Sequence, residues 1–263
     1  MATQLAAGAR WKRTSCSKRA AGAIPAASSA RTAATVNSDQ HILADAQAAG
    51  AALADFVANR LKAADPVRGF HMALAGGSTP LPFFEALSQM RDLPWQQLWI
   101  YWSDERCVPP NDPQSNYGLA RKHLISQIHV PKNQVERLRG EVDPEAEAAR
   151  YSQLLRQRLP DLSLDLVLLG LGDDGHTASL FPGDEDALTS PEPVVAVMHP
   201  VSGQLRLSMT PALINRAQAV AFLVTGANKA AILKQVLHGP GAYPAQLIQP
   251  AELHYFVDQA ASL

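Results

Sequence analysis

Residues 165–183 read DLVLLGLGDDGHTASLFPG, and the interpretation of the rest of the chain starts from this stretch. Its first five residues form the short apolar run that is typical of a buried strand. Three glycines follow, at Gly170, Gly172 and Gly175. Glycine lets the backbone turn sharply and pass close to a ligand, and this turn carries Asp174, His176 and Thr177. Because an open α/β sheet binds ligands at the carboxyl ends of its strands, the turn is the first candidate site.

Strand and helix patterns alternate on both sides of this stretch. Strands are predicted at 70–75, 98–102, 165–169, 194–198 and 219–224. Helices are predicted at 42–61, 80–90, 144–159 and 225–237, with one more after 115–117. This alternation predicts an α/β fold with a mostly parallel sheet and helices on both faces. No internal repeat or long linker interrupts it, so one domain is expected over residues 39–263.

Composition excludes several classes of protein. The chain has 263 residues, of which 47% are hydrophobic and 18% charged, so it can build a core and is not disordered throughout. A formal net charge of −1 predicts no general attraction to nucleic acid or to an anionic membrane. No apolar run approaches the roughly 20 residues of a membrane span. The cysteines, Cys16 and Cys107, have no CxxC or metal-ligand spacing and indicate neither a disulfide framework nor a zinc site.

The first 38 residues differ from the rest, because they contain no Asp or Glu and are rich in Ala, Ser and Thr. Their basic residues are Arg10, Lys12, Arg13, Lys18, Arg19 and Arg31. This bias is typical of an organellar transit peptide. A disordered extension or an over-long gene start would have the same composition, and both alternatives stay open. We expect a cytoplasmic protein, or a plastid or mitochondrial one if residues 1–38 are a transit peptide.

A glycine-rich turn follows the strand predicted at 70–75. Its residues Gly76, Gly77, Ser78 and Thr79 would present backbone N–H groups and two hydroxyls at the start of a helix. Unpaired donors and the helix dipole favour a phosphate or carboxylate there. An ordinary helix start capped by Ser78 or Thr79 is the alternative. The turn matches neither GxGxxG nor the Walker pattern, so dinucleotide or ATP binding is not supported.

A charged triplet, Asp104-Glu105-Arg106, follows the aromatic strand at 98–102 in a predicted polar loop. The planar fork of Arg106 suits a phosphate, and an adjacent carboxylate could hold it in place. The alternative is a surface ion pair, which contributes little. Cys107 has no base near it in sequence and is interpreted as a bystander.

The DGHT quartet at residues 174–177 carries the strongest chemical signal. A histidine titrates near neutral pH, so His176 could take a proton from water. Asp174 would orient its ring or contact a substrate. The alternative is that His176 caps a turn and Asp174 is an Asx-turn residue. The glycine-rich turn after a buried strand favours a functional role.

Two further cations, Arg206 and Lys229, lie at or near predicted strands, and Lys229 would stand just inside a helix, placed for a phosphate. Considered separately, each is interpreted as a solvated surface cation. The remaining histidines have no motif around them.

Three segments in this order resemble the 6-phosphogluconolactonase family. They are GGSTP at 76–80, DER with VP and SNY between 104 and 117, and GLGDDGHTASLFPG at 170–183. The resemblance covers residues 39–263. It implies the α/β fold shared with glucosamine-6-phosphate deaminase and ribose-5-phosphate isomerase. It also implies hydrolysis of 6-phospho-D-glucono-1,5-lactone in the pentose phosphate pathway, a carboxylic ester hydrolase reaction without metal or organic cofactor.

By this resemblance His176 is the general base that activates water, and Asp174 is the motif carboxylate beside it. The implied substrate-binding residues are Gly76, Gly77, Ser78, Thr79, Asp104, Arg106, Arg206 and Lys229. Asp173 occupies a variable position of the motif and is expected to compete electrostatically with Asp174. The implied partner is a small phosphosugar lactone, not nucleic acid or membrane.

Two other functions remain as alternatives. A deaminase-isomerase of amino-sugar phosphates would share the fold and the glycine-rich loops, but residues 177–183 favour the lactonase. A non-catalytic sugar-phosphate sensor would need anion-binding donors without a base, and His176 argues against it.

Overall fold

The apolar runs of the sequence form strands, and helices connect them. The computed structural model describes residues 38–241 and 243–262, with residue 160 described by its backbone alone. The strands are β1 (Ser38–Leu43), β2 (Phe70–Leu74), β3 (Leu98–Trp102), β4 (Asp104–Arg106), β5 (Leu166–Leu169), β6 (Val194–Met198), β7 (Leu205–Met209), β8 (Ala219–Val224) and β9 (Glu252–Asp258). The α-helices are α1 (Ala46–Ala63), α2 (Leu81–Ser88), α3 (Asn116–His123), α4 (Pro144–Arg158), α5 (Glu185–Leu188), α6 (Pro211–Ile214) and α7 (Ala230–His238).

Six strands form one parallel sheet in the order β1-β9-β8-β5-β2-β3. Every residue of β2, β5 and β8 is buried, as expected at the centre of a parallel sheet that is covered on both faces. The predicted fold class is therefore confirmed. In the part of the chain that the structure describes, no helix combines the length and apolar composition needed to cross a membrane.

A second, smaller sheet was not predicted. It has the order β4-β7-β6, and both of its pairings are antiparallel. The charged triplet 104–106 forms β4 in this sheet, so its interpretation as a loop was wrong. Three polar residues carry no period-2 apolar signal, and β4 exists because β7 supplies its pairing partner.

The start of the domain also differs from the prediction. Ile42 and Leu43 belong to β1, which pairs with β9, and α1 begins only after Asp45. The Asp45 side chain caps this helix by accepting a hydrogen bond from Ala48 N at 2.8 Å. The predicted cap of α2 is absent: Pro80 occupies the cap position, without a side-chain hydrogen bond from Ser78 or Thr79.

The predicted N-terminal extension, with its basic residues and Cys16, lies outside the described residues apart from Ser38. Residues 38–241 and 243–262 fall within one compact unit. The division of the chain at residue 39 stays a prediction.

Candidate active site

The turns that follow β2, β3 and β5 meet at one cavity of about 270 Å³. The sequence predicted this convergence, and the structure confirms it. The cavity is lined by seven of the predicted site residues: Gly76, Thr79, Asp104, Arg106, His176, Arg206 and Lys229. Three other predicted residues, Gly77, Ser78 and Asp174, are not part of the lining. Ser78 is exposed, and Gly77 adopts a positive φ of 81° that favours glycine.

His176 is held by Asp174 through two hydrogen bonds. Its ring Nδ1 lies 2.5 Å from Asp174 Oδ1, and its backbone N–H donates to the same oxygen at 3.1 Å. An ionised carboxylate only accepts, so Nδ1 carries the proton of the neutral imidazole and Nε2 has the lone pair. Burial alone would raise the pKa of Asp174, but the hydrogen bonds and charge of His176 outweigh it and lower that pKa. The imidazole is thus fixed in the tautomer that a base requires.

Gly172 provides the space that the imidazole occupies. A Cβ atom at this position would overlap the His176 ring at Nδ1 and Cε1. The turn is closed by Gly172 N donating to His176 O at 2.8 Å, and by the Thr177 hydroxyl donating to Gly170 O at 2.8 Å. Local structure therefore explains why Gly172 and Thr177 are present in the motif: they form the turn that presents His176.

Arg106 and Arg206 lie directly opposite each other on β4 and β7. Like charges in this arrangement destabilise an antiparallel pair. Arg106 Nη1 donates to Gln114 O at 2.8 Å, and Arg206 Nη1 makes a long bond of 3.4 Å to Ser179 Oγ. Both Nε atoms are buried without a partner among the described residues. Two neighbouring cations with so few acceptors are chemically suited to hold an anion.

The environment of Arg206 strengthens this conclusion. Burial lowers the pKa of its guanidinium, Asp104 raises it and Arg106 lowers it again. A bound dianion would compensate both positive charges at once.

Asp104 is buried at the cavity wall, and its carboxylate is anchored on both sides. Its Oδ2 accepts from Ser179 Oγ at 2.7 Å, and its Oδ1 accepts from Asn116 Nδ2 at 2.9 Å. The Asn116 amide lies where a Cβ on residue 76 would stand, so the first glycine of the GGSTP turn is required by this contact. Asn116 belongs to the SNY segment, whose contribution to the site was not predicted.

Lys229 lines the cavity but is already paired. Its Nζ lies 2.6 Å from Asp173 Oδ1, and this contact lowers the pKa of Asp173. Asp173 therefore acts mainly as the partner of Lys229, whereas the sequence suggested competition with Asp174. Among the cavity cations, Arg106 and Arg206 have no carboxylate this close within the described part of the chain.

The phenyl ring of Phe181 lies close to both His176 and Arg206. Its centroid lies 5.0 Å from that of His176 and 5.7 Å from the guanidinium carbon of Arg206. His199 packs against the same ring, with 4.9 Å between centroids. The sequence analysis assigned no role to His199 or Phe181, and only the position of Phe181 within the long motif could have indicated its contacts.

Cys107 follows Arg106 but is not an activated thiol. Burial, with the charges of Glu105 and Asp143, raises the pKa of its thiol to about 12. The described residues contain no group of three or more His, Cys, Asp or Glu side chains suited to holding a metal ion.

Comparison with known proteins identifies the family of the chain. Residues 44–257 match the family described as glucosamine-6-phosphate isomerases/6-phosphogluconolactonase. The chain is 40% identical over 199 residues to the 6-phosphogluconolactonase of Haemophilus influenzae, covering 73% of this chain and 85% of that protein.

Two solved structures extend the comparison. The crystal structure of a devB protein, 37% identical, superposes with a TM-score of 0.79 over 85% of this chain and 98% of that one. A monomeric glucosamine-6-phosphate deaminase, at 21% identity, shares the fold with a TM-score of 0.75 over 85% of this chain and 98% of its own. The chain therefore belongs to the glucosamine-6-phosphate isomerase/6-phosphogluconolactonase family.

Proposed function

We propose that the chain hydrolyses 6-phospho-D-glucono-1,5-lactone to 6-phospho-D-gluconate, the lactonase step of the pentose phosphate pathway. One observation carries the proposal: an imidazole oriented by a carboxylate shares a cavity with two facing arginines. The family match supports the substrate class, because the relative from Haemophilus influenzae is a 6-phosphogluconolactonase.

The reaction needs a base and an activated ester. His176 Nε2 removes a proton from water, and the resulting hydroxide adds to the lactone carbonyl carbon C1 to form a tetrahedral oxyanion. The oxyanion collapses, the C1–O5 bond breaks, and the imidazolium returns the proton to O5. Asp174 stabilises the imidazolium while it exists. No covalent nucleophile is needed, since a lactone already carries a leaving group.

The phosphate supplies orientation. It lies far from the reacting carbon, so its contacts with Arg106 and Arg206 hold the lactone without opposing the chemistry. Lys229 would join these contacts by exchanging its partner Asp173 for the substrate. Gly76 and Thr79, which also line the cavity, complete the set of residues proposed to surround the sugar phosphate.

Asp174→Asn is expected to lower kcat about 10²-fold, because the amide neither fixes the Nδ1–H tautomer nor stabilises the imidazolium. Steady-state hydrolysis of the lactone measures this change. In a His176→Ala background the same substitution should have no further effect. An additional loss in that background would assign Asp174 a role that is independent of the imidazole.

Gly172→Ala is expected to lower kcat by about 10²-fold as well, because the added methyl group displaces the His176 ring by about 1 Å. Gly183→Ala is the matched control, since a Cβ there meets nothing within 4 Å, although its φ of 83° makes some loss of stability expected. Equal kcat values for the two variants would show that the Gly172 contact does not position the imidazole.

The assay that tests the proposed function follows lactone opening and ammonia release in parallel. We expect purified protein to accelerate opening of 6-phosphogluconolactone and to release no ammonia from glucosamine 6-phosphate. Ammonia release would favour the deaminase. Phosphosugar binding with neither reaction would favour the sensor.

No metal or organic cofactor is included in this proposal. We also propose a cytoplasmic location, with a plastid or mitochondrion as the alternative if residues 1–38 are a transit peptide. Mass spectrometry of the mature N-terminus distinguishes these locations, because a transit peptide would be missing from the isolated protein.

A further inference from the structure

Glu105 is a buried carboxylate that the proposed reaction does not use. It lies in β4 between Asp104 and Arg106, which both line the cavity, and its exposed fraction is 2%. Side chains alternate along a strand, so Glu105 points away from the cavity lined by its two neighbours. A buried carboxylate at this position requires a reason.

The carboxylate accepts four hydrogen bonds. Oε1 accepts from Arg106 N at 2.8 Å and from Asn116 N at 2.7 Å. Oε2 accepts from Ser115 Oγ at 3.0 Å and from Tyr117 N at 2.8 Å. Two of these donors are the first backbone N–H groups of α3, where the helix dipole favours a negative charge. The carboxylate thus joins β4 to the beginning of α3.

Each end of this connection leads to a cavity residue. At the helix end, Asn116 donates through Nδ2 to the Asp104 carbonyl oxygen and to Asp104 Oδ1, both at 2.9 Å. At the loop end, Arg106 Nη1 donates to the carbonyl oxygen of Gln114, the residue before Ser115. Moving α3 relative to β4 would therefore move both the Asp104 carboxylate and the Arg106 guanidinium.

We propose that Glu105 is a positioning residue, which holds β4 against α3 and so sets the geometry of Arg106 and Asp104 for the phosphosugar. The inference deepens the proposed function and rests on it for the identity of the ligand. Burial raises the pKa of Glu105 above its ordinary value, and the backbone N–H groups of Tyr117, Asn116 and Arg106 offset only part of this increase. The substitution below removes one or two of these three amide contacts, depending on which oxygen the NH₂ group replaces.

Glu105→Gln tests this role. One carboxylate oxygen remains, and the other becomes an NH₂ group. In one orientation this group faces the N–H groups of Arg106 and Asn116, and in the other it faces the N–H group of Tyr117 beside the Ser115 hydroxyl. We expect KM for the lactone to rise about tenfold with kcat within about threefold of wild type, because binding geometry is lost and the base is untouched. In an Arg106→Ala background most of the KM increase should disappear, since the two substitutions then act on the same contact.

Asp165→Asn is the matched control. Asp165 also accepts a hydrogen bond from a backbone N–H of the neighbouring strand, His71 N, at 2.7 Å. It precedes β5 and therefore lies at the end of the strands opposite the cavity. The Asp165→Asn substitution should lower the melting temperature and leave KM unchanged. If Glu105→Gln behaves in the same way, Glu105 is structural only and the proposal is overturned.

Two further measurements keep the test decisive. Glu105→Asp, which keeps the charge but shortens its reach, replaces Glu105→Gln if the glutamine variant does not fold, with the same expected KM increase.

Calorimetric titration with inorganic phosphate reports on the arginine site without catalysis. If wild type binds phosphate but opens no lactone, the proposed function fails, whereas weaker phosphate binding by the Glu105 variant would still support the positioning role. Equal phosphate affinities would contradict it.

Discussion

Replacing His176 by alanine is expected to lower kcat for lactone opening by about 10²–10⁴-fold, the usual contribution of a general base. The variant loses the group that accepts the proton of water, while Arg106 and Arg206 keep their positions on β4 and β7. KM and the affinity for 6-phosphogluconate should therefore change little. Stopped-flow or pH-stat kinetics, corrected for spontaneous opening of the lactone, measure the effect.

His238→Ala provides the control for this experiment. His238 ends α7 on the exposed surface and does not line the active-site cavity, so its removal should leave kcat and KM as in wild type. A His176→Ala variant as fast as wild type would remove the imidazole from the mechanism. Loss of 6-phosphogluconate binding in the same variant would instead make His176 a binding residue.

Removing a guanidinium from the facing pair should affect binding most strongly. We expect Arg206→Ala and Arg106→Ala each to raise KM about 10- to 100-fold, because a charge-assisted hydrogen bond contributes about 1.5–3 kcal/mol and each 1.4 kcal/mol is a factor of ten. kcat should fall less than KM rises, since neither group lies at the reacting carbon. Phosphate-dependent affinity can be measured separately with 6-phosphogluconate and unphosphorylated gluconate.

Lysine variants show whether the fork geometry matters in addition to the charge. Arg206→Lys keeps the charge but loses bidentate contact with phosphate, so its KM should lie between those of wild type and Arg206→Ala. Arg156→Ala is the control, because Arg156 is half exposed and pairs with Glu192 on the surface. An unchanged KM in Arg106→Ala, Arg206→Ala and Arg206→Lys would show that these arginines do not bind the substrate.

The central elements of the fold could be predicted because their signal is local. β2, β5 and β8 are short apolar runs, which are typical of buried strands, and β5 leads directly into the glycine turn of the site. The edge strand β1 could not be predicted in the same way, since its exposed polar residues are strand only through pairing with β9. The sequence analysis also missed β9, whose ELHYFVD run mixes polar and aromatic residues.

The residues of the site also divide into those that the sequence could predict and those that it could not. Convergence of three loops follows from parallel-sheet topology, so Gly76, Asp104 and His176 could be assigned to one cavity from sequence. The facing arginines could not, because residues 106 and 206 are brought together by an antiparallel pairing in a sheet that the sequence did not indicate.

Side-chain partners were also beyond the sequence pattern. The pairing of Lys229 with Asp173 and the four contacts of Glu105 depend on how separate segments pack in three dimensions, not on periodicity.

A crystal structure of the protein with 6-phosphogluconate bound tests the central claim most directly, because the product carries both ends of the substrate. We predict phosphate oxygens within hydrogen-bond distance of the Arg106 and Arg206 guanidinium groups. The C1 carboxylate should lie about 3 Å from His176 Nε2, the reach of a general base. A ligand bound outside this cavity, or with C1 remote from the imidazole while the phosphate is held, would contradict the account.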